Sequence, residues 1–114
     1  ILISDTIGFI EDLPPLLINA FRSTLQESIQ ADVLLHVINC SDQQYEEKIE
    51  TVRSILHDLP AIQHPILVFN QIDKISEGEQ QELRMEFMGQ KHVLVSAKTG
   101  EGIDELKRLI AEAL

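Results

Sequence analysis

Three short polar clusters hold the side chains in this sequence that are placed to do chemistry: Asp5-Thr6-Ile7-Gly8, Asn70-Gln71-Ile72-Asp73 and Ser96-Ala97-Lys98. Each follows an apolar run. Asp73 comes just after Ile66-Leu67-Val68-Phe69, so its two acceptor oxygens stand at a strand tip, where ligands bind in open α/β sheets. Gly8 permits a backbone turn or the close approach of a ligand. Taken singly these are weak signals, since an Asp-x-x-Gly tetrapeptide is more often a turn than a ligand site. In this order, each directly after its own strand, they are much more specific.

The elements that must position the clusters can be read from hydrophobic periodicity. Ile1 to Ile3, Val33 to Ile38, Ile66 to Phe69 and Val93 to Val95 read as short buried strands. A helix should follow Leu13-Pro14-Pro15, with Leu17, Ala20, Phe21, Thr24, Leu25, Ser28 and Ile29 on one face. The turn Asn39-Cys40-Ser41-Asp42 leads to a second stripe of Tyr45, Ile49, Val52, Leu56 and Leu59, stopped by Pro60. Ser76 and Glu79 have the spacing of a capping box, so a third helix should run through Leu83 to Phe87 and end at Gly89. Ile103, Leu106, Leu109, Ile110 and Ala113 mark the last helix. The order βαβαβαβα predicts an α/β fold of three layers, a parallel sheet covered by helices, with ligands at the carboxyl ends of the strands.

With 114 residues, 44% of them hydrophobic, the chain can build one modest core, and a single compact unit is expected. Its 19 acidic against 9 basic residues, a formal charge of -10, argue against gripping nucleic-acid phosphates, so no direct DNA binding is expected. Cys40 is the one cysteine, which excludes an intrachain disulfide. Neither Cys40 nor the histidines at 57, 64 and 92 show metal-ligand spacing, and His36, inside a strand, reads as a core histidine. Glu46, Glu47 and Glu50 read as an exposed helical face. No signal peptide or bilayer-length apolar run is visible, and a cytoplasmic protein without stable membrane insertion fits best. The chain opens at Ile1 inside an apolar run without Met, which reads as a fragment of a longer protein.

The three clusters together resemble the third, fourth and fifth motifs of the GTP-binding domains of P-loop GTPases. A longer context narrows this: Asp5-Thr6-Ile7-Gly8-Phe9-Ile10, Asp12-Leu13-Pro14, Ala20-Phe21-Arg22-Ser23-Thr24-Leu25 and Ala31-Asp32-Val33-Leu34-Leu35-His36-Val37-Ile38. This sequence resembles HflX, a family of bacterial ribosome-associated GTPases, from Ile1 to the last helix. The resemblance implies that residues 1–114 are part of a GTP-binding domain, from the Asp-x-x-Gly motif to its final helix. It also implies GTP/GDP and Mg²⁺ as ligands, GTP hydrolysis, and action on the large ribosomal subunit.

Site roles follow from the resemblance, residue by residue. Asp73 would meet guanine N1–H and N2–H₂, a donor pair that adenine lacks. Asn70 would tie the base loop to its neighbours, the Ala97 N–H would donate to guanine O6, and Ser96 and the Lys98 stem would support the base. Gln71 stands where the family usually has lysine, so its stem can lie along the base without the charge. Asp5 would hold the water shell of Mg²⁺, with Thr6 beside it and the Gly8 N–H on the γ-phosphate.

Two departures matter. Phe9 follows Gly8, where many GTPases place a water-orienting glutamine, so no catalytic residue is assignable. No G-x-x-x-x-G-K-[ST] occurs, and the resemblance puts that loop, its strand and the first switch segment upstream of Ile1. The expectation is therefore a truncated fold of about four strands and four helices. Its sheet would have a gap open to strand exchange or oligomerisation, and the isolated chain would be inactive. The alternatives are a GTPase-like module that binds the ribosome or a protein without catalysis, or another ribosome-assembly GTPase.

Overall fold

Four consecutive residues, Ile66, Leu67, Val68 and Phe69, are all buried, as a parallel strand covered on both faces requires. The structure is a computed structural model that describes residues 32–57 and 65–114. Within them the order is β1 (Leu35–Asn39), α1 (Tyr45–His57), β2 (Ile66–Asn70), a 3-10 turn (Ile72–Lys74), α2 (Glu77–Glu86), β3 (His92–Leu94) and α3 (Ile103–Ala113). The strands form a parallel sheet in the order β1-β2-β3, with Leu35 opposite Ile66, Asn39 opposite Asn70, and Phe69 opposite Leu94. This is the α/β architecture that the alternation of patterns predicts. The expected strand Ile1 to Ile3, the helix carrying Leu17 to Ile29, and the cluster Asp5 to Gly8 with Phe9 lie outside the described residues, as does Pro60.

The chain divides into two units, one of which holds described residues 32–45 and 65–114, and with them the whole sheet, α2 and α3. On one sheet face Ile66, Val68, Val93 and Val95 form a buried cluster against which Ile103, Leu106 and Leu109 of α3 pack. On the other, the Phe69 ring lies 4.9 Å from that of Phe87 and 6.3 Å from that of Tyr45. The helix α1 beyond Tyr45 falls in the second unit, and there Ile49 and Val52 are buried while Glu46, Glu47 and Glu50 are exposed.

Pairing register sets the strand ends. β1 runs to Asn39 because that residue faces Asn70, and it begins at Leu35, opposite Ile66, rather than at Val33. β3 covers His92–Leu94 and not Val93 to Val95, although the Val95 N–H still donates to Phe69 O at 2.8 Å. The helix α2 starts as expected: Ser76 Oγ accepts from the Glu79 N–H, and Glu79 reaches back to the Ser76 N–H. Its end differs. It stops at Glu86, with the Phe87 N–H on Leu83 O, and Gly89 does not take the left-handed conformation of a glycine cap. Phe87 turns inward onto Phe69 instead, and its burial ends the helix earlier than the glycine would.

Gly102 decides how α3 meets the sheet. Its φ is 79°, and a Cβ there would fall on the Leu94 carbonyl oxygen. Among the described residues, no helix is long and apolar enough to cross a membrane.

Candidate functional site

The carboxyl ends of β2 and β3 bring two of the three polar clusters together. Asn70 ends β2, and its Oδ1 accepts the Gln71 N–H at 2.8 Å and the Ala97 N–H at 3.0 Å. Two donors on one atom identify that atom as the oxygen. The second tie is between side chains: Ser96 Oγ donates to Asp73 Oδ1 at 2.8 Å. Ser96 has 0% exposure, and its hydroxyl also accepts the Thr99 N–H at 3.1 Å, so this buried group is satisfied as both donor and acceptor. Asp73 itself is exposed, leaving its second oxygen open to solvent or ligand.

The chain between Asn70 and Asp73 makes an unusual bend. Gln71 has φ 70° and ψ 35°, the one positive φ outside glycine among the described residues. A left-handed conformation costs a side-chain-bearing residue about 1–2 kcal/mol. The 3-10 turn then follows, with the Ile72 N–H bonded to Val95 O at 3.2 Å and the Ile72 side chain 1% exposed. These anchors direct Asp73 across to Ser96. Ala97 and Lys98 are exposed on the facing loop, where Gly100, at φ 87°, makes the turn and its N–H closes onto Ser96 O at 2.8 Å.

A third loop joins the arrangement. Cys40, just after β1, is buried and places both its N–H and its thiol on Asn70 O, at 3.1 Å and 2.9 Å. Burial raises the thiol pKa, and the carboxylates of Asp73 and Glu79 raise it further, so at neutral pH the sulfur is a protonated donor. From α2, Gln80 Nε2 donates to Ile72 O at 3.3 Å. Local pattern assigns Cys40 only a turn position and Gln80 no role at all. For Cys40 the signal lies in the register, since it follows the residue that pairs with Asn70.

Of the residues singled out in the sequence, Asn70, Gln71, Asp73, Ser96, Ala97 and Lys98 therefore lie on two loops that hydrogen bonds join. Asp5, Thr6 and Gly8 lie outside the described residues. One detail departs from expectation: the Ala97 N–H is already engaged by Asn70 Oδ1. No group of three His, Cys, Asp or Glu side chains able to hold a metal occurs among the described residues.

The fold has a solved counterpart in nucleolar GTP-binding protein 1 of Plasmodium falciparum, with a TM-score of 0.59 and 18% identity over 96% of this chain and 61% of that one. That likeness shows the fold, of the α/β class. In sequence the chain is similar to proteins named GTPase HflX. GTPase HflX of Magnetococcus marinus is 42% identical over 123 residues, covering 100% of this chain. The Escherichia coli protein of that name is 42% identical over 98% of the chain, and that of Methanocaldococcus jannaschii 37% over 100%. The chain spans about a quarter of the length of these relatives, 27%, 26% and 29% respectively. No protein-family model matches.

Proposed function

We propose that this chain is the guanine-reading part of an HflX-type GTPase that binds GTP and GDP with Mg²⁺, hydrolyses GTP and acts on the large ribosomal subunit in the cytoplasm. The observation that carries the reading is the double tie between loops, Ser96 to Asp73 and Ala97 to Asn70, which fixes an exposed carboxylate at the carboxyl edge of a parallel sheet. Asp73 Oδ2 and the remaining lone pair of Oδ1 suit the paired N1–H and N2–H₂ donors of guanine. Asn70 holds the two loops in register, Ser96 orients Asp73, and the stems of Gln71 and Lys98 flank the base. Guanine O6 reaches the Ala97 N–H either as a second acceptor of that proton or in place of Asn70 Oδ1. At the phosphate end, Asp5, Thr6 and Gly8 serve Mg²⁺ and the γ-phosphate, with Asp5 acting through water. The whole-chain likeness to proteins named GTPase HflX supports the hydrolase part of the reading.

The test is Asp73→Asn in the complete protein. An amide turns one acceptor into a donor, which mismatches guanine and matches the C2 oxygen of xanthine. GTP affinity should fall about 10- to 100-fold while XTP binding improves. An unchanged preference for GTP over XTP would remove Asp73 from the role.

A further inference from the structure

The peptide carbonyls on either side of Gln71 are each held by a side chain from a different element. Asn70 O takes the Cys40 thiol at 2.9 Å in addition to the Cys40 N–H at 3.1 Å. Ile72 O takes Gln80 Nε2 at 3.3 Å in addition to the Ile75 N–H at 3.2 Å. Between these clamps Gln71 sits at φ 70°, a conformation that persists for a side-chain-bearing residue when its surroundings over-determine it. If the Cys40 clamp is released the peptide plane preceding Gln71 can rotate, and if the Gln80 clamp is released the plane between Ile72 and Asp73 can, either of which swings Asp73 relative to Ser96 and Ala97.

We infer that Cys40 and Gln80 are positioning residues for base selection, which hold the left-handed Gln71 turn so that the Asp73 carboxylate meets both donors of the base edge. The inference rests on the guanine reading above. Neither residue touches the base, since Cys40 is buried behind Asn70 and Gln80 approaches from α2. Their leverage is angular. A small tilt of Asp73 leaves one donor within reach and loses the second, so selectivity should respond before overall binding does. The Cys40 backbone bond survives substitution by alanine or serine, so the side chain's own share is the sulfur donor. For Gln80 the share is the amide donor, because only Nε2 can face a carbonyl oxygen.

The experiment measures GDP and IDP affinity, with melting temperature, for the complete protein and its variants. Hypoxanthine lacks the exocyclic amine, so the GDP:IDP affinity ratio reports the second contact to Asp73. The unmodified protein should favour GDP by about 10-fold or more. Cys40→Ala and Gln80→Met should each lower that ratio by about 3- to 10-fold, and Cys40→Ser, which keeps a donor, should restore it. If the variants weaken GDP and IDP equally, or lower only the melting temperature, their role is structural and the inference is overturned. An unmodified protein that does not prefer GDP over IDP overturns the guanine reading itself. A preference that is present but unmoved by either variant sinks the positioning role alone.

Discussion

Ser96 and Asp73 are joined by a 2.8 Å hydrogen bond from a hydroxyl with 0% exposure to a carboxylate at the surface. The bond links the loop after β3 to the loop after β2, and through the Thr99 N–H it also shapes its own loop. Ser96→Ala would leave the part-buried Thr99 N–H without its acceptor and remove one donor from Asp73. The expected loss is about 1–3 kcal/mol in urea unfolding, together with reduced preference for guanine nucleotides. A variant with unchanged stability would show that water replaces the hydroxyl and that the bond does not organise the loops.

The N-terminus of α2 gives a smaller, separable effect. Ser76 Oγ accepts the Glu79 N–H at 3.1 Å, and the Glu79 carboxylate faces the Ser76 N–H at 3.5 Å. The first contact is the stronger of the two by distance. Ser76→Ala should therefore cost about 1 kcal/mol, and Glu79→Ala a fraction of that. Equal losses from the two substitutions in urea unfolding would show that the reciprocal contact matters as much as the cap. Because this helix also carries Gln80, hydrogen exchange at Asp73 and Lys74 should quicken in Ser76→Ala.

How much of this was legible in the sequence divides along a physical line. The buried run Ile66 to Phe69, the Ser76 and Glu79 box and the α3 stripe each follow from local pattern, and the structure has them. Asn70 as the tie between loops comes from the resemblance to GTP-binding domains rather than from local pattern, and its Oδ1 does accept the Ala97 N–H. What escaped depends on tertiary partners. The left-handed Gln71 carries no glycine or asparagine to announce it, and the helix end at Glu86 answers to the Phe69 ring rather than to Gly89. Nor does the sequence show that the Ala97 N–H already has an acceptor, since that requires the distance between two loops separated by a helix and a strand.

Gly100 and Gly102 form a matched pair of tests. Both have positive φ, 87° and 79°, so alanine at either place costs about 1–2 kcal/mol of backbone strain. They differ in surroundings: nothing lies within 4 Å of a Cβ at Gly100, whereas at Gly102 the Cβ would overlap the Leu94 carbonyl oxygen. Gly102→Ala therefore also has to push α3 away from β3, adding about 1–3 kcal/mol. Thermal unfolding should rank Gly102→Ala well below Gly100→Ala. Equal melting temperatures would mean that the helix can slide off Leu94 at no cost, contrary to the packing of Ile103 and Leu106 on the Val93 and Val95 cluster.

Cys40 makes stability depend on alkaline pH in a predictable direction. Burial raises the folded-state pKa of its thiol, and Asp73 and Glu79 add to the shift, so the folded protein keeps the proton where the unfolded chain releases it. Below the unfolded value of about 8.5 both states are protonated and the thiol's contribution is fully present. As pH rises from there through the folded pKa, the unfolded state binds fewer protons and stability falls. In urea unfolding, Cys40→Ser should flatten that slope above about pH 8.5 relative to the unmodified protein. The same burial should keep the thiol slow toward a disulfide reagent at about pH 8 until the protein is denatured. Fast labelling of the folded protein, with the Asn70 O contact in place, would show that the thiolate forms readily and that the sulfur does not act as a donor.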